Sequence, residues 1–117
     1  DFTVLMVPLA SLADVYFEHR AGRPEAPPEW VRPRIEDAYK VVSPFARRPR
    51  VDPASVLVLA ANGDRITPIT HAERLRAHLG EADMHVFPGG HLLQAGRGRA
   101  FGAVARFFAR RHLIVST

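Results

Sequence analysis

Cysteine is absent from these 117 residues, which excludes disulfides, a thiolate nucleophile and any Cys-based metal site. Lysine is nearly absent. Lys40 is the only one, and arginine supplies the rest of the 16 basic residues behind the net charge of +4. No apolar run approaches the ~18 residues of a membrane span, and no signal peptide is recognisable. Together these absences predict a protein of a reducing, cytoplasmic compartment, built without covalent cross-links. Length excludes a second domain, because one compact core is about all that a chain of this size can bury.

What is present is the composition of a globular protein, 47% apolar and 24% charged. Ten prolines are unusual for this length, and the five from Pro24 to Pro44 mark one stretch as poor in regular structure. Arg47, Arg48 and Arg50 form a short basic cluster broken by Pro49. It has no interleaved aromatics and no binding motif beside it, so it reads as a solvated basic loop rather than a nucleic-acid site. The chain opens on Asp1, and residues 2–7 already read as a buried strand, so a fragment of a longer fold is expected.

Phe2 to Val7 is a continuous apolar run with β-branched residues, stopped by Pro8, and suits a parallel strand covered on both faces. Ser11 and Asp14 have the spacing of a capping box, and Leu12, Val15, Tyr16 and His19 define the predicted inward face of the helix that follows. Residues 21–30 read as loop. A second helix is predicted over about 34–42, with Ile35, Ala38, Tyr39 and Val42 on one face, and a polar connection over 46–54. Ser55 to Ala61 is the strongest strand. Thr70 and Glu73 predict a second capping box and a helix that Gly80 stops. A third strand covers 84–87. A last helix covers about 99–111, with Phe101, Val104, Ala105 and Phe108 on its buried face. The expectation is an α/β fold, a parallel three-stranded sheet flanked by helices.

Parallel α/β sheets place their sites just past the carboxyl ends of strands. Asp64 follows the second predicted strand and His91 the third. Right-handed crossovers put those ends side by side, so the two side chains are expected within about 2.6–3.2 Å of one another. An aspartate so placed holds an imidazole in one tautomer and orientation, leaving it to take a proton from a nucleophile. Either residue alone has a structural reading, Asp64 as a turn residue and His91 as a loop or anion-contacting residue. His71, His78 and His85 lack the spacing of a zinc site and are expected at the surface, with His19 on a helix face.

The segment Leu59-Ala60-Ala61-Asn62-Gly63-Asp64-Arg65-Ile66-Thr67-Pro68 resembles the acid-bearing segment of α/β-hydrolases, and Val86-Phe87-Pro88-Gly89-Gly90-His91 resembles their histidine segment. The resemblance covers residues 1–112 as the last three strands of that fold, and the order of acid before histidine is the family's. It implies a serine-type hydrolase of carboxylic esters or related acyl substrates, with Asp64 and His91 as triad members and no metal or organic cofactor. It also implies that residues 21–54 are the lid or connecting region of a single 1–117 unit. Two departures stand out. Ala61 occupies a position where the family often has glycine, and none of Ser11, Ser43, Ser55 and Ser116 lies in a G-x-S-x-G elbow. The nucleophile and oxyanion donors must therefore come from elsewhere, and the chain alone is expected to be inactive. The expected partners are a small-molecule substrate and either the N-terminal hydrolase half or a second copy paired through strand 2–7, with no nucleic acid and no membrane span. The competing reading is a non-catalytic α/β binding or interaction domain. A nucleotide-binding version of it is weakened by Pro8-Leu9-Ala10 where a glycine-rich loop would stand.

Overall fold

The computed structural model describes residues 1–92 and 95–111. Three strands form one parallel sheet: β1 (Thr3–Met6), β2 (Val56–Ala61) and β3 (Asp83–Phe87), side by side in that order. Four helices flank it: α1 (Leu12–Arg20), α2 (Arg32–Tyr39), α3 (Ile69–His78) and α4 (Arg97–Arg110). The chain thus has an α/β fold, and among the described residues no helix is long and apolar enough to cross a membrane.

β2 takes the middle position because it carries no residue that benefits from water. All six of its residues are buried. Its alternation sorts the core into two layers. Leu57, Leu59 and Ala61 join Val4, Met6 and Phe87 beneath α4, where Ala100, Ala103 and Phe107 are the buried helix residues. Val56, Val58 and Ala60 join Leu5 and Met84 on the opposite face, against Ala72 of α3. Burying a side chain such as Leu59 or Phe107 contributes about 1.5–3 kcal/mol. Most of the favourable burial therefore gathers on β2, α3 and α4.

Two predicted helix faces are rotated from their expected positions. On α4, Phe101 and Ala105 are exposed and the alanines at 100 and 103 are buried, with Val104 and Phe108 packed at the margin. Small residues let the helix axis approach the sheet, and the larger Phe107 fills the gap that remains. On α1 the one buried residue is Ala13, whereas Leu12 and Tyr16 are exposed and Val15 is half-buried. Of the apolar side chains expected to face the core, Leu12 turns instead towards Ile35 and Tyr39 of α2. The cap of α1 is half a box: Ser11 Oγ accepts from the Asp14 N–H at 3.2 Å, while the Asp14 carboxylate is spent on arginines. The box expected at Thr70 and Glu73 does not form. α3 starts at Ile69 straight after Pro68, so Thr70 lies inside the helix rather than at its cap.

The segment between β1 and β2 is held differently from the core. α2 has no buried residue, and only Ile35 among its members is half-covered apolar surface. Asp14 accepts from Arg32 Nη1 at 2.6 Å and pairs with Arg74, pinning α2 and α3 to α1 through one carboxylate. Burial pushes that carboxyl up, but hydrogen bonds from Arg74, Arg32 and Ser11 outweigh it and hold the group below its ordinary range. Arg32 also lies over the Phe17 ring at 4.3 Å.

Candidate active site

The carboxyl ends of β2 and β3 run into two glycine-bearing loops, and those glycines set how closely the loops approach. The Gly63 N–H donates to the Gly89 carbonyl at 2.8 Å. A Cβ on Gly63 would meet that same carbonyl oxygen at 2.8 Å, nearer than side-chain carbons pack. Gly89 itself has φ +135°, a backbone conformation that side chains rarely adopt. The two loops lie flush, and the residue after each glycine pair or turn is brought over the same point of the sheet edge.

Asp64 and His91 meet there. Asp64 Oδ2 is 2.9 Å from His91 Nδ1, with the Asp64 side chain fully buried and the His91 side chain 32% exposed. The carboxylate is saturated with donors. Oδ1 accepts from the N–H groups of Ile66 (2.8 Å) and Thr67 (2.9 Å), while Oδ2 accepts from the Thr67 hydroxyl (2.8 Å) as well as from His91. Burial alone would raise this carboxyl. The bonds from the Thr67 backbone and hydroxyl, from His91 and from the Ile66 backbone outweigh burial and keep it below its ordinary range.

Thr67 is a member of the site that sequence reasoning did not assign a role. Its hydroxyl hydrogen goes to Asp64, so its oxygen presents a lone pair to His91 Nδ1 at 3.3 Å. With acceptors on both sides, Nδ1 carries the ring proton, and Nε2 of the neutral ring has the basic lone pair. The signal was legible. A threonine three residues after an aspartate, before a proline, has the spacing of a turn in which side chain bonds to side chain and backbone.

β1 ends beside this cluster under strain. Val7, a β-branched residue, has φ +44°. It is held there by its N–H to the Leu59 carbonyl (2.7 Å), and its own carbonyl lies 3.5 Å from the Thr67 hydroxyl. Two and three residues further on, Leu9 and Ala10 enter an open apolar groove of about 450 Å³, which Leu12, Ile35, Tyr39, Val42 and Phe45 also line. Leu12, from the predicted inward face of α1, thus meets Ile35, Tyr39 and Val42, from that of the second helix, across a groove rather than in a core. Of residues 21–54, the expected lid or connecting region, the part from Ile35 to Ala46 supplies one wall of this groove and residues 21–33 do not line it.

The remaining histidines separate. His71 is buried, against the expectation of a surface residue. Its Nδ1 accepts from the Ala10 N–H (3.2 Å), and its Nε2 faces Glu18 Oε2 (3.4 Å), so it ties the chain after β1 to α3. The sequence holds no sign of this, because the partner is a backbone N–H sixty-one positions away. His78 bonds the Arg47 carbonyl and His19 the Ile66 carbonyl. His85 is half-buried, with a buried Nε2 that has no hydrogen-bond partner. Among the described residues no group of three or more His, Asp or Glu is placed to hold a metal ion. Of the described serines, Ser11 and Ser43 accept from the N–H groups of Asp14 and Phe45, and Ser55 closes a 3-10 turn through its backbone N–H to the Asp52 carbonyl. Ser116 lies outside the described residues. Compared with family models, with curated proteins and with solved structures, the chain has no match.

Proposed function

We propose that this chain supplies the acid and histidine of a serine-type hydrolase acting on carboxylic esters or related acyl substrates. One observation carries the reading: the buried, fully hydrogen-bonded Asp64 carboxylate faces His91 Nδ1 at 2.9 Å above adjacent ends of parallel strands. In such a pair His91 Nε2 takes the proton of an attacking hydroxyl and later returns it to the leaving group. Asp64 stays ionised, fixing the ring and stabilising the imidazolium. Thr67 adds a second hold on both. The apolar groove supports an acyl or alkyl substrate, because it opens from the segment that leaves the same sheet edge. In the competing reading of a binding domain, Asp64 would be a turn residue whose carboxylate also fixes the His91 loop.

The nucleophile belongs to a segment other than residues 1–117. Fluorophosphonate labelling of the natural polypeptide that contains this stretch tests the proposal. A labelled serine whose reactivity is abolished by His91→Ala and strongly slowed by Asp64→Asn supports it. No labelled serine, or labelling indifferent to both changes, overturns it. The 117-residue chain by itself should give no saturable hydrolysis of a p-nitrophenyl ester, since most of the barrier lowering in such enzymes comes from the nucleophile and oxyanion donors.

The partner in this reading sits on β1, which pairs with β2 alone among the described strands. The Val7 N–H points to Leu59, so by alternation the N–H and C=O of Val4 and Met6 point away from β2, on a strand with no charge and no proline. The N-terminal hydrolase half, or a second copy through strand 2–7, would complete that edge. Light scattering on the 117-residue chain should show self-association that Val4→Pro removes. A monodisperse monomer would sink the second-copy alternative.

A further inference from the structure

The side chains of the three arginines after Phe45 take no part in the Asp64–His91 site or in the apolar groove. Arg47, Arg48 and Arg50 line one hollow at the surface, and among the described residues they alone form its wall. All 12 acidic residues of the chain lie among the described residues. Arg32, Arg74, Arg76, Arg110 and Lys40 each find one of them. Among the described residues none of the three clustered arginines is in an ion pair. The nearest acid in sequence, Asp52, turns its carboxylate to the Ala54 N–H at 3.0 Å.

The backbone that presents them is pinned at both ends. On one side Ser43 caps Phe45, the Phe45 ring stands edge-on to His78 at 4.9 Å, and His78 Nε2 donates to the Arg47 carbonyl at 3.1 Å. On the other, the Asp52 turn leads into Pro53, whose ring lies against Gly80 at the end of α3. Pro49 restricts the backbone between. Three like charges are thus kept within four positions by contacts that do nothing to neutralise them. Their mutual repulsion is unfavourable in the free protein and is relieved when a multiply charged anion enters. Guanidinium groups suit a phosphate because their paired N–H donors match two of its oxygens.

We propose that the hollow formed by Arg47, Arg48 and Arg50 binds a phosphate-bearing anion. This site is independent of the Asp64–His91 reading, and neither stands or falls with the other. A free phosphate compound and a phospholipid headgroup offer the same chemistry, so the test uses both. Calorimetric titration with inorganic pyrophosphate, at about 50 mM salt, should show saturable binding that weakens several-fold at about 200 mM salt as screening shortens. The triple variant R47Q/R48Q/R50Q should weaken it at least tenfold, R47K/R48K/R50K by less, and Arg23→Gln not at all. Vesicles of phosphatidylcholine with and without phosphatidic acid form the second arm. Binding only to the latter vesicles, lost in the Gln variant, assigns the site to a headgroup; binding to pyrophosphate assigns it to a free compound. The ligand-free Gln variant should unfold at the same temperature as the parent or slightly higher, because its charges repel. Binding to neither probe, or binding unchanged in both triple variants, overturns the proposal.

Discussion

The sheet's carboxyl edge and the long crossover between β1 and β2 are stabilised by opposite means. At the edge, Asp64 is enclosed, every oxygen of its carboxylate is bonded, and two loops touch glycine to glycine. In the crossover, apolar side chains line an open groove, α2 has no fully buried residue, and one carboxylate, Asp14, holds the pieces through the partly exposed Arg32 and Arg74. The contrast shows where this chain keeps geometry fixed. A His–Asp pair needs its partners placed to a fraction of an ångström, which only close packing supplies. A groove for an apolar group needs only walls.

The largest expected effect lies beneath the edge. Phe107→Ala removes a fully buried ring from between α4 and β2 and should destabilise the fold by about 3–5 kcal/mol in urea unfolding. Val42→Ala in the groove, where the side chain is 75% exposed, should stay within about 0.5 kcal/mol. Equal losses at the two positions would erase the distinction. Next comes Gly63→Ala, which adds a methyl group 2.8 Å from the Gly89 carbonyl oxygen. Separating the loops should cost about 1–3 kcal/mol and remove the downfield Nδ1 proton signal of His91 from the NMR spectrum. An unshifted signal would mean that the glycine contact does not set the pair.

Acid sharpens the comparison further. Asp64 and Asp14 both titrate below the ordinary carboxyl range when folded. Each therefore contributes stability that is complete above the unfolded value of about 3.9 and is lost as pH falls through the lower folded value. Stability should decline on acidification below about pH 4, and Asp64→Asn should flatten that decline more than Asp14→Asn, since the latter's arginine partners are 31–52% exposed and screened by solvent. A small effect is expected for Asp14→Ala itself, about 1 kcal/mol or less by thermal unfolding, declining with added salt. A larger, salt-independent loss would show that the crossover packs more tightly than its exposure suggests.

How much of this was legible along the chain differs between the same two regions. The strands and their parallel sense follow from apolar segments alternating with helical spacing, whereas their side-by-side order was implied by the resemblance to α/β-hydrolases. Asp64 and His91 could be paired because each follows a strand directly, and strand ends are carried to a common edge by the crossover rule. Thr67 was within reach of the same local logic. Side-chain orientation on the helices was not. The stripes on α1 and α4 fit either of two adjacent faces, and hydrophobicity favours the larger residues. The sheet selected Ala13, Ala100 and Ala103 because small side chains permit close approach.

By itself, then, the sequence determined the parallel three-stranded sheet, the helices around it and the two residues that meet above its edge, all of which depend on contacts a few residues apart or on the handedness of one crossover. Only the tertiary structure decided that Leu12 of α1 borders a groove, that His71 is buried against a backbone N–H sixty-one positions away, and that Arg47, Arg48 and Arg50 line a common hollow with none of them in an ion pair among the described residues. Each of these depends on which distant segment packs alongside, and periodicity along a chain does not carry that information.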